Sequence, residues 1–385
     1  MSSKPNINAE LDLLQHQSYS YFLHEANSAN GLIIDKTSDN LPASIACTGM
    51  ALAAYPVAVE RGFMSRNAAL ERTLNTLRFF WNSPHGPELD ATGYRGFYYH
   101  FLDLYTGRRA WDCELSTIDT VFLLAGALTA GIYFSKKTMQ EQEIRTLANN
   151  LYLRADWQWA QNNGPLVTHG WKPECGFLNY RWEGYDEAIL LYILGLGSPT
   201  HPLPDSCFSA WTSTYHWISS YGYEYLYAGP LFTHQLSHLW VDFRGIQDEF
   251  MRSRGIDYFE NSRRAAYVQQ QYAIDNPHKF AGYSQNCWGI TACDGPGPDT
   301  ITIDGINRKF FNYLGRGVPY GPDDGTLAPW VVVSSLPFAP EIALPVIDYY
   351  INHVKLSESN SYGFNSTFNP TSPINSLNNH DRVSP

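Results

Sequence analysis

AWDCELSTIDTVFLLAGALTAGIYF, residues 110–134, decides how this chain is read. Asp112, Glu114 and Asp119 crowd its first ten positions, and residues 120–134 then pass without a charge. A helix that is apolar on every side must be covered on every side, so the run predicts a core helix over 116–134. Ser116 followed by Asp119 matches the S-x-x-[DE] cap, and an acid in the first turn also complements the helix dipole. Capping explains Asp119. It leaves unexplained Asp112 and Glu114, which precede the helix, and Trp111 beside them. Capping and chemistry are compatible, because a helix that starts at the rim of a cavity points its first-turn acid inward.

The arrangement recurs in NYRWEGYDEAILLYILGLG, residues 179–197. Glu183, Asp186 and Glu187 come just before an uncharged run, with Trp182 and Tyr185 among them. Dipole complementation is again the plain explanation. Two aromatic-and-acid clusters heading two core helices fit a shared site better, with Glu187 pointing inward.

Apolar residues recur at helical spacing over about 10–25, 42–61, 66–82, 116–134, 138–162, 184–196, 207–220, 242–252, 259–275, 326–336 and 339–354. Strand-like runs are short, at 96–104 and 166–171. Some helices are amphipathic and charged (66–82, 138–162), others nearly uncharged (42–58, 116–134, 187–196). An inner ring of uncharged helices wrapped by an outer amphipathic ring satisfies both textures. This is an all-α, (α/α) barrel or toroid, with loops at one end of the inner ring around a central cavity. No linker divides the chain, which predicts a single domain over 1–369 and a polar, disordered tail over 370–385.

Composition narrows the function. Aromatic residues make up 15% of the chain, and with 29 Gly and 23 Pro they suggest long loops carrying rings. Such rings serve as platforms for sugars or bases, but a net charge of −11 without a basic run argues against nucleic acid. Six scattered cysteines without CxxC read as buried free thiols rather than a metal cluster or disulfide scaffold. The N-terminus MSSKPNINAELDLLQ lacks the apolar core of a signal peptide, and no run reads as a membrane span. The chain as written is expected to be soluble and cytoplasmic.

Three further regions offer polar groups. In 233–264, His234 and His238 stand four apart and Asp242 follows, but no HExxH or further ligand completes a metal site. Hydrogen-bonding histidines are expected there, with Arg244, Asp248, Arg263 and Arg264 in ion pairs. The loops 282–298 and 316–330 set Asp294 after Trp288, and Asp323 and Asp324 after Tyr320. Turn chemistry explains DGPG and PDDG equally well. No G-x-S-x-G announces a nucleophilic serine. Scattered acids, rings and no expected metal or cofactor suit glycoside hydrolysis, which needs one carboxylic acid and one carboxylate.

Six segments carry a resemblance: GFYYHFLDLYTGRRAWDCELSTIDT, YDEAILLYILGLGSPTHP, HQLSHLWVDFRGIQD, GIDYFENSRRA, WGITACDGPG and VPYGPDDGTLAP. Together they make the chain, from about Leu11 to Asn369, similar to the glycoamylase-like domain family, which includes bacterial endo-β-1,2-glucanases of glycoside hydrolase family 144. The resemblance implies an (α/α)6 barrel that hydrolyses β-1,2-linked glucan, with inversion and without a metal. It implies catalytic roles for Glu187, Glu114 and Asp119, without saying which is acid and which is base. Trp111, Asp112, Trp182, Tyr185, His234, Arg244, Trp288, Asp294, Tyr320 and Asp324 are expected to bind sugar. Family members usually carry an export signal and continue past the YGF…FN motif (residues 362–369) into a further helix. The polar tail here predicts that this last helix is lacking. The alternatives are an inactive carbohydrate-binding protein and a hydrolase or transglycosylase of another glucan linkage.

Overall fold

A computed structural model of the chain describes residues 6–38, 40–358 and 360–374. Helix is the main regular structure, beginning with α1 (Ile7–His24). The chain divides into two compact units. One comprises His16–Glu183 and Ala188–Ser213; the other comprises the stretch up to Gln15, Gly184–Glu187 and the chain from Thr214 onward.

The first unit contains α2 (Ile45–Glu60), α3 (Arg66–Asn82), α4 (Thr117–Tyr133) and α5 (Met139–Arg154). The nearly uncharged helices α2 and α4 pack backbone to backbone. A Cβ added to Gly49 would stand 2.3 Å from the Phe122 carbonyl oxygen, and one on Gly126 would stand 2.0 Å from the Gly49 carbonyl oxygen. That approach is why the 120–134 run is rich in small residues as well as free of charge. The charged helices bury one face each, α3 through Leu70, Leu74, Leu77 and Phe80, α5 through Ile144, Leu147, Ala148 and Leu151. Their polar faces meet in ion pairs: Arg66 grips Glu141 through two bonds of 3.0 Å, and Arg78 grips Glu143 through two of 2.6 Å.

The expected 138–162 helix is two helices. The chain leaves α5 in extended conformation at Ala155, and the Asp156 carboxylate accepts the Trp159 N–H at 3.0 Å to start α6 (Trp157–Gln161). α7 (Ile189–Leu196) and α8 (Ser206–Thr212) are the remaining helices lying wholly in this unit among the described residues.

Short strands tie down the heads of the core helices. Leu115–Ser116, just before α4, lies between Phe97–Tyr99 and Gly170–Lys172 in a five-stranded antiparallel sheet. Ala43–Ser44, just before α2, pairs with Phe101–Leu102. Each serine caps its helix: Ser44 Oγ accepts the Cys47 N–H and Ser116 Oγ accepts the Asp119 N–H. The expected 96–104 strand is thus two strands that belong to different sheets, with residue 100 as the pivot between them. The expected 166–171 strand lies at Gly170–Lys172.

The second unit contains α9 (Glu249–Arg254), α10 (Tyr258–Asp275), α11 (Pro329–Val333) and α12 (Pro340–Tyr349), the last running into a π turn, Tyr350–Val354. Its core gathers Val268, Tyr272, Ile290, Leu327, Val331 and Tyr350. Two expected helices differ. The 207–220 segment is helical only through α8, and Trp217–Ser220 is a strand paired with Tyr223–Leu226. Tyr221 and Gly222 both take positive φ (50° and 81°), which closes a tight hairpin whose aromatic strands imitate an apolar helix face. The 242–252 segment is helical only from Glu249. An unforeseen hairpin pairs Asp299–Ile303 with Ile306–Phe310 around Asp304–Gly305, also at positive φ. The D-G pair between β-branched residues was its signal in the sequence.

Residues 370–374 of the expected disordered tail are hydrogen-bonded, with Thr371 Oγ1 accepting the Ala281 N–H at 2.8 Å. The rest, 375–385, lies outside the described residues. Five cysteines are buried and free, while Cys175 is free and exposed. No helix of the described residues is long and apolar enough to cross a membrane.

Candidate active site

The pivot residue of the first unit is His100. Its backbone N–H donates to the Glu114 carbonyl at 3.0 Å, and its carbonyl accepts the first N–H of α2, from Ile45, at 3.3 Å. The strands leading into α2 and α4 therefore fix one backbone position. The ring is held on both sides. Nδ1 lies 2.9 Å from Glu114 Oε1, and Nε2 lies 3.7 Å from Asp119 Oδ2. Phe101 stacks on the ring face at 3.9 Å between centroids. Ser116 Oγ donates to Asp119 Oδ2 at 2.5 Å while accepting the Asp119 N–H, so the cap also aims the carboxylate.

All three groups remain partly open: the His100, Glu114 and Asp119 side chains are 31%, 28% and 14% exposed. Burial disfavours the charged imidazole, but Asp119, the Glu114 hydrogen bond and the more distant Asp35 outweigh it and hold His100 up at about 9. Burial likewise would raise the Glu114 carboxyl, yet the His100 hydrogen bond keeps it below the ordinary carboxylate range, with Lys172 adding a smaller pull.

Aromatic groups flank the trio. The exposed Trp111 ring lies 5.2 Å from Phe101, and Trp111 and Asp112 both adopt left-handed φ (57° and 49°). Such backbone is uncommon for residues other than glycine, and two in succession turn the indole outward beside the carboxylates. On α4's other flank, Trp182 is buried. Its Nε1–H donates to Thr117 Oγ1 at 3.0 Å and its ring stacks on His169 at 4.0 Å. Trp182 supports the start of α4 instead of offering a free face. Of the residues expected from sequence, this unit thus brings together Glu114, Asp119 and Trp111, while Asp112 is exposed next to Trp111 in the chain. His100 was not foreseen. Its only signal was a polar residue in the middle of GFYYHFLDL, where a strand alternation gives no reason for it.

The second unit holds Tyr185, Glu187 and His234. Tyr185 packs against Tyr258, Tyr215 and His234 at 5.8, 5.8 and 5.1 Å between centroids. Tyr258 donates its hydroxyl to Asp248, which also caps α9, and shares a 2.9 Å hydrogen bond with Tyr215. Glu187 is half-buried, two residues ahead of α7, and its carbonyl accepts from Ser237 Oγ at 3.2 Å. The expected helix through His234 and His238 is two 3-10 turns, Leu231–His234 and Leu236–Leu239. His234 Nε2 meets the Ala228 carbonyl and Nδ1 meets Asn261 Nδ2, so both ring nitrogens are engaged. Burial pushes its pKa down to about 4. Among the described residues, no group of three His, Cys, Asp or Glu is placed to hold a metal ion.

Two expected sugar contacts are core residues. Trp288 is 0% exposed and lies in the apolar cluster of the second unit, so it has no face to offer. Asp324 is bound by the Arg316 guanidinium through two 2.7 Å bonds, with both side chains at 0% exposure. It also accepts backbone N–H groups of Phe311 and Thr326, and its partners hold its carboxyl low against the cost of burial. Arg244 is exposed and chelates Asp242. Tyr320 is exposed and edge-on to Tyr227, and Asp294 is half-buried.

A family model described as "Putative glucoamylase" matches residues 179–383, more than half of the chain. The chain belongs to this glycoamylase family. A relative from Parabacteroides distasonis named exo beta-1,2-glucooligosaccharide sophorohydrolase (non-reducing end) is 26% identical over 400 aligned residues. The alignment covers 94% of this chain and 51% of the relative, so the chain spans about half the length of that curated protein. The crystal structure of a "putative glucoamylase" from Bacteroides uniformis is 28% identical, with a TM-score of 0.84 over 96% of this chain and 87% of that one. The Chitinophaga pinensis endo-beta-1,2-glucanase, solved with sophorotriose and glucose, is 23% identical and shares the fold at a TM-score of 0.80, over 95% of this chain and 87% of that one. The glycoamylase-family match begins at residue 179, whereas the His100 cluster lies upstream of it; the structural similarity extends over both regions.

Proposed function

We propose that this glycoamylase-family chain is a glycoside hydrolase that cleaves β-1,2-linked glucan, using carboxylates as acid and base. The observation that carries the reading is the pair Glu114 and Asp119, set at the head of a core helix, partly open, and held by one histidine. The name of the Parabacteroides relative supports the linkage. The likeness to the solved glucoamylase-type structure supports an (α/α)6 toroid formed as a single catalytic domain over 1–369.

In the proposed reaction one carboxylic acid gives its proton to the glycosidic oxygen as the bond from that oxygen to C1 breaks. A carboxylate takes a proton from the water whose oxygen bonds to C1 from the opposite face, which inverts the anomeric configuration. Glu114, Asp119 and Glu187 are the proposed functional carboxylates. Trp111, Tyr185 and Tyr320 offer rings for the pyranose, while Asp112, Arg244 and Asp294 offer hydroxyl partners.

The test is a panel of linear β-1,2-, β-1,3- and α-1,4-glucans, with products resolved by chain length and anomer. New reducing ends from β-1,2-glucan alone, with α-anomers first, are expected. Binding without new reducing ends, or cleavage of another linkage, refutes the reading. Product length separates internal cleavage from release of disaccharide from an end.

A further inference from the structure

The proposed reaction needs one protonated and one ionised carboxyl group, and the surroundings of His100 bear on which is which. This inference rests on the proposed glucanase reading. A neutral imidazole has one N–H donor and one lone pair. Here a carboxylate oxygen faces each ring nitrogen, Glu114 Oε1 at Nδ1 and Asp119 Oδ2 at Nε2. Either neutral tautomer would set a lone pair toward a carboxylate oxygen, whereas the imidazolium donates to Glu114 at 2.9 Å and faces Asp119 as an ion pair at 3.7 Å. Phe101 covers one face of the ring, and the backbone of residue 100 is tied to Glu114 and Ile45.

We infer that His100, as an imidazolium, is a positioning residue that holds Glu114 as a carboxylate beside Asp119, so that Glu114 acts as the base and the proton donor is a different carboxyl group of the chain. Without that cation Glu114 loses the hydrogen bond and the charge that hold its carboxyl below the ordinary range, and burial then raises it. Among the described residues, the charged groups that act on His100 are Glu114 ahead of α4, Asp119 in its first turn, and Asp35 after the Ile33–Ile34 strand. Lys172 and His169 act on Glu114 from the Gly170–Lys172 strand and the residue before it. The buried Cys47 thiol in α2 lies within reach of Asp35 and Asp119, and burial keeps it protonated.

Two measurements decide the matter. Imidazole resonances, with His100 assigned by their loss in His100→Gln, are titrated by NMR in the folded protein. His100 is expected to stay protonated beyond pH 8 and to titrate at lower pH in Glu114→Gln or Asp119→Asn. A His100 that deprotonates below pH 7 in the wild type overturns the inference, whether or not the protein cleaves glucan. Second, kcat against pH on β-1,2-glucan is compared for wild type and His100→Gln. The acid-side limb is expected to move up by about one pH unit, so that the loss is about two- to threefold near pH 5 and approaches tenfold only below both limbs, with KM little changed and a smaller loss above pH 7. A uniform loss at all pH values marks a structural role only and overturns the inference. If the wild type cleaves no β-1,2-glucan while His100 titrates near 9, the glucanase reading fails and the charge assignment to the trio stands.

Discussion

Replacing Gly126 by alanine tests the packing that carries the site. The added Cβ would stand 2.0 Å from the Gly49 carbonyl oxygen, 2.7 Å from its carbonyl carbon and 2.9 Å from its Cα, all backbone atoms that no rotamer can move. Real contacts begin near 3.0 Å, so α2 and α4 must part by roughly 1 Å. A gap of that size forfeits about a quarter to a half of each dispersion contact along the seam. Overpacking of this kind costs roughly 1–3 kcal/mol, and alanine's helix preference returns about 1 kcal/mol. The net cost is about 0–2 kcal/mol. Gly131 in the same helix is the control, because its added Cβ would meet Ala148 Cβ at 3.3 Å and Arg145 Cα at an ordinary 3.9 Å. Thermal unfolding by circular dichroism should place Gly126→Ala roughly 0–8 °C below wild type and at least about 2 °C below Gly131→Ala, since about 1 kcal/mol moves a unit of this size by about 2–4 °C. Gly131→Ala should fall within a degree or two of wild type or above it. A Gly126→Ala midpoint equal to that of Gly131→Ala would refute the backbone contact. Turnover should fall along with stability in Gly126→Ala alone, because the first N–H of α2 and the cap of α4 both hold the His100 corner.

Arg316→Met leaves the buried Asp324 without its cation and should cost about 3–5 kcal/mol at pH 7 by urea unfolding. In the wild type the lowered Asp324 carboxyl stabilises the fold above its unfolded value near 4, and that contribution fades as pH falls through the folded value. In Arg316→Met burial raises the carboxyl instead, so the penalty should shrink at acid pH, and a penalty independent of pH would contradict the pairing. Ser116→Ala removes the α4 cap and should cost about 1 kcal/mol by thermal unfolding, with a loss of turnover as Asp119 loses its hydroxyl donor. Glu187→Gln should keep the wild-type melting midpoint and lower turnover on β-1,2-glucan at least about 10²-fold; unchanged turnover removes Glu187 from the reaction.

The sequence by itself determined the helices with unbroken periodicity and the core character of α4. A run of fifteen residues without charge (120–134) has nowhere to go but the interior. The S-x-x-D cap was legible for the same reason, since it is local and three residues wide. The helix breaks at Ala155 and after Thr212 were harder to read, because an aspartate cap and a Tyr-Gly turn interrupt patterns that still look periodic. The sequence also showed that Glu114 and Asp119 belong together. It could not show that they meet through His100, fourteen and nineteen positions before them, because that meeting depends on strand pairing between segments distant in the chain. Nor could it tell a sugar-binding Asp or Trp from a core one. Asp324 and Asp119 both follow ordinary turn or cap signals, and only packing decided that the first faces Arg316 in the interior while the second faces a partly open imidazole. Local signals persist in the chain wherever it goes, whereas which groups lose water and which keep it is set when the elements close on one another.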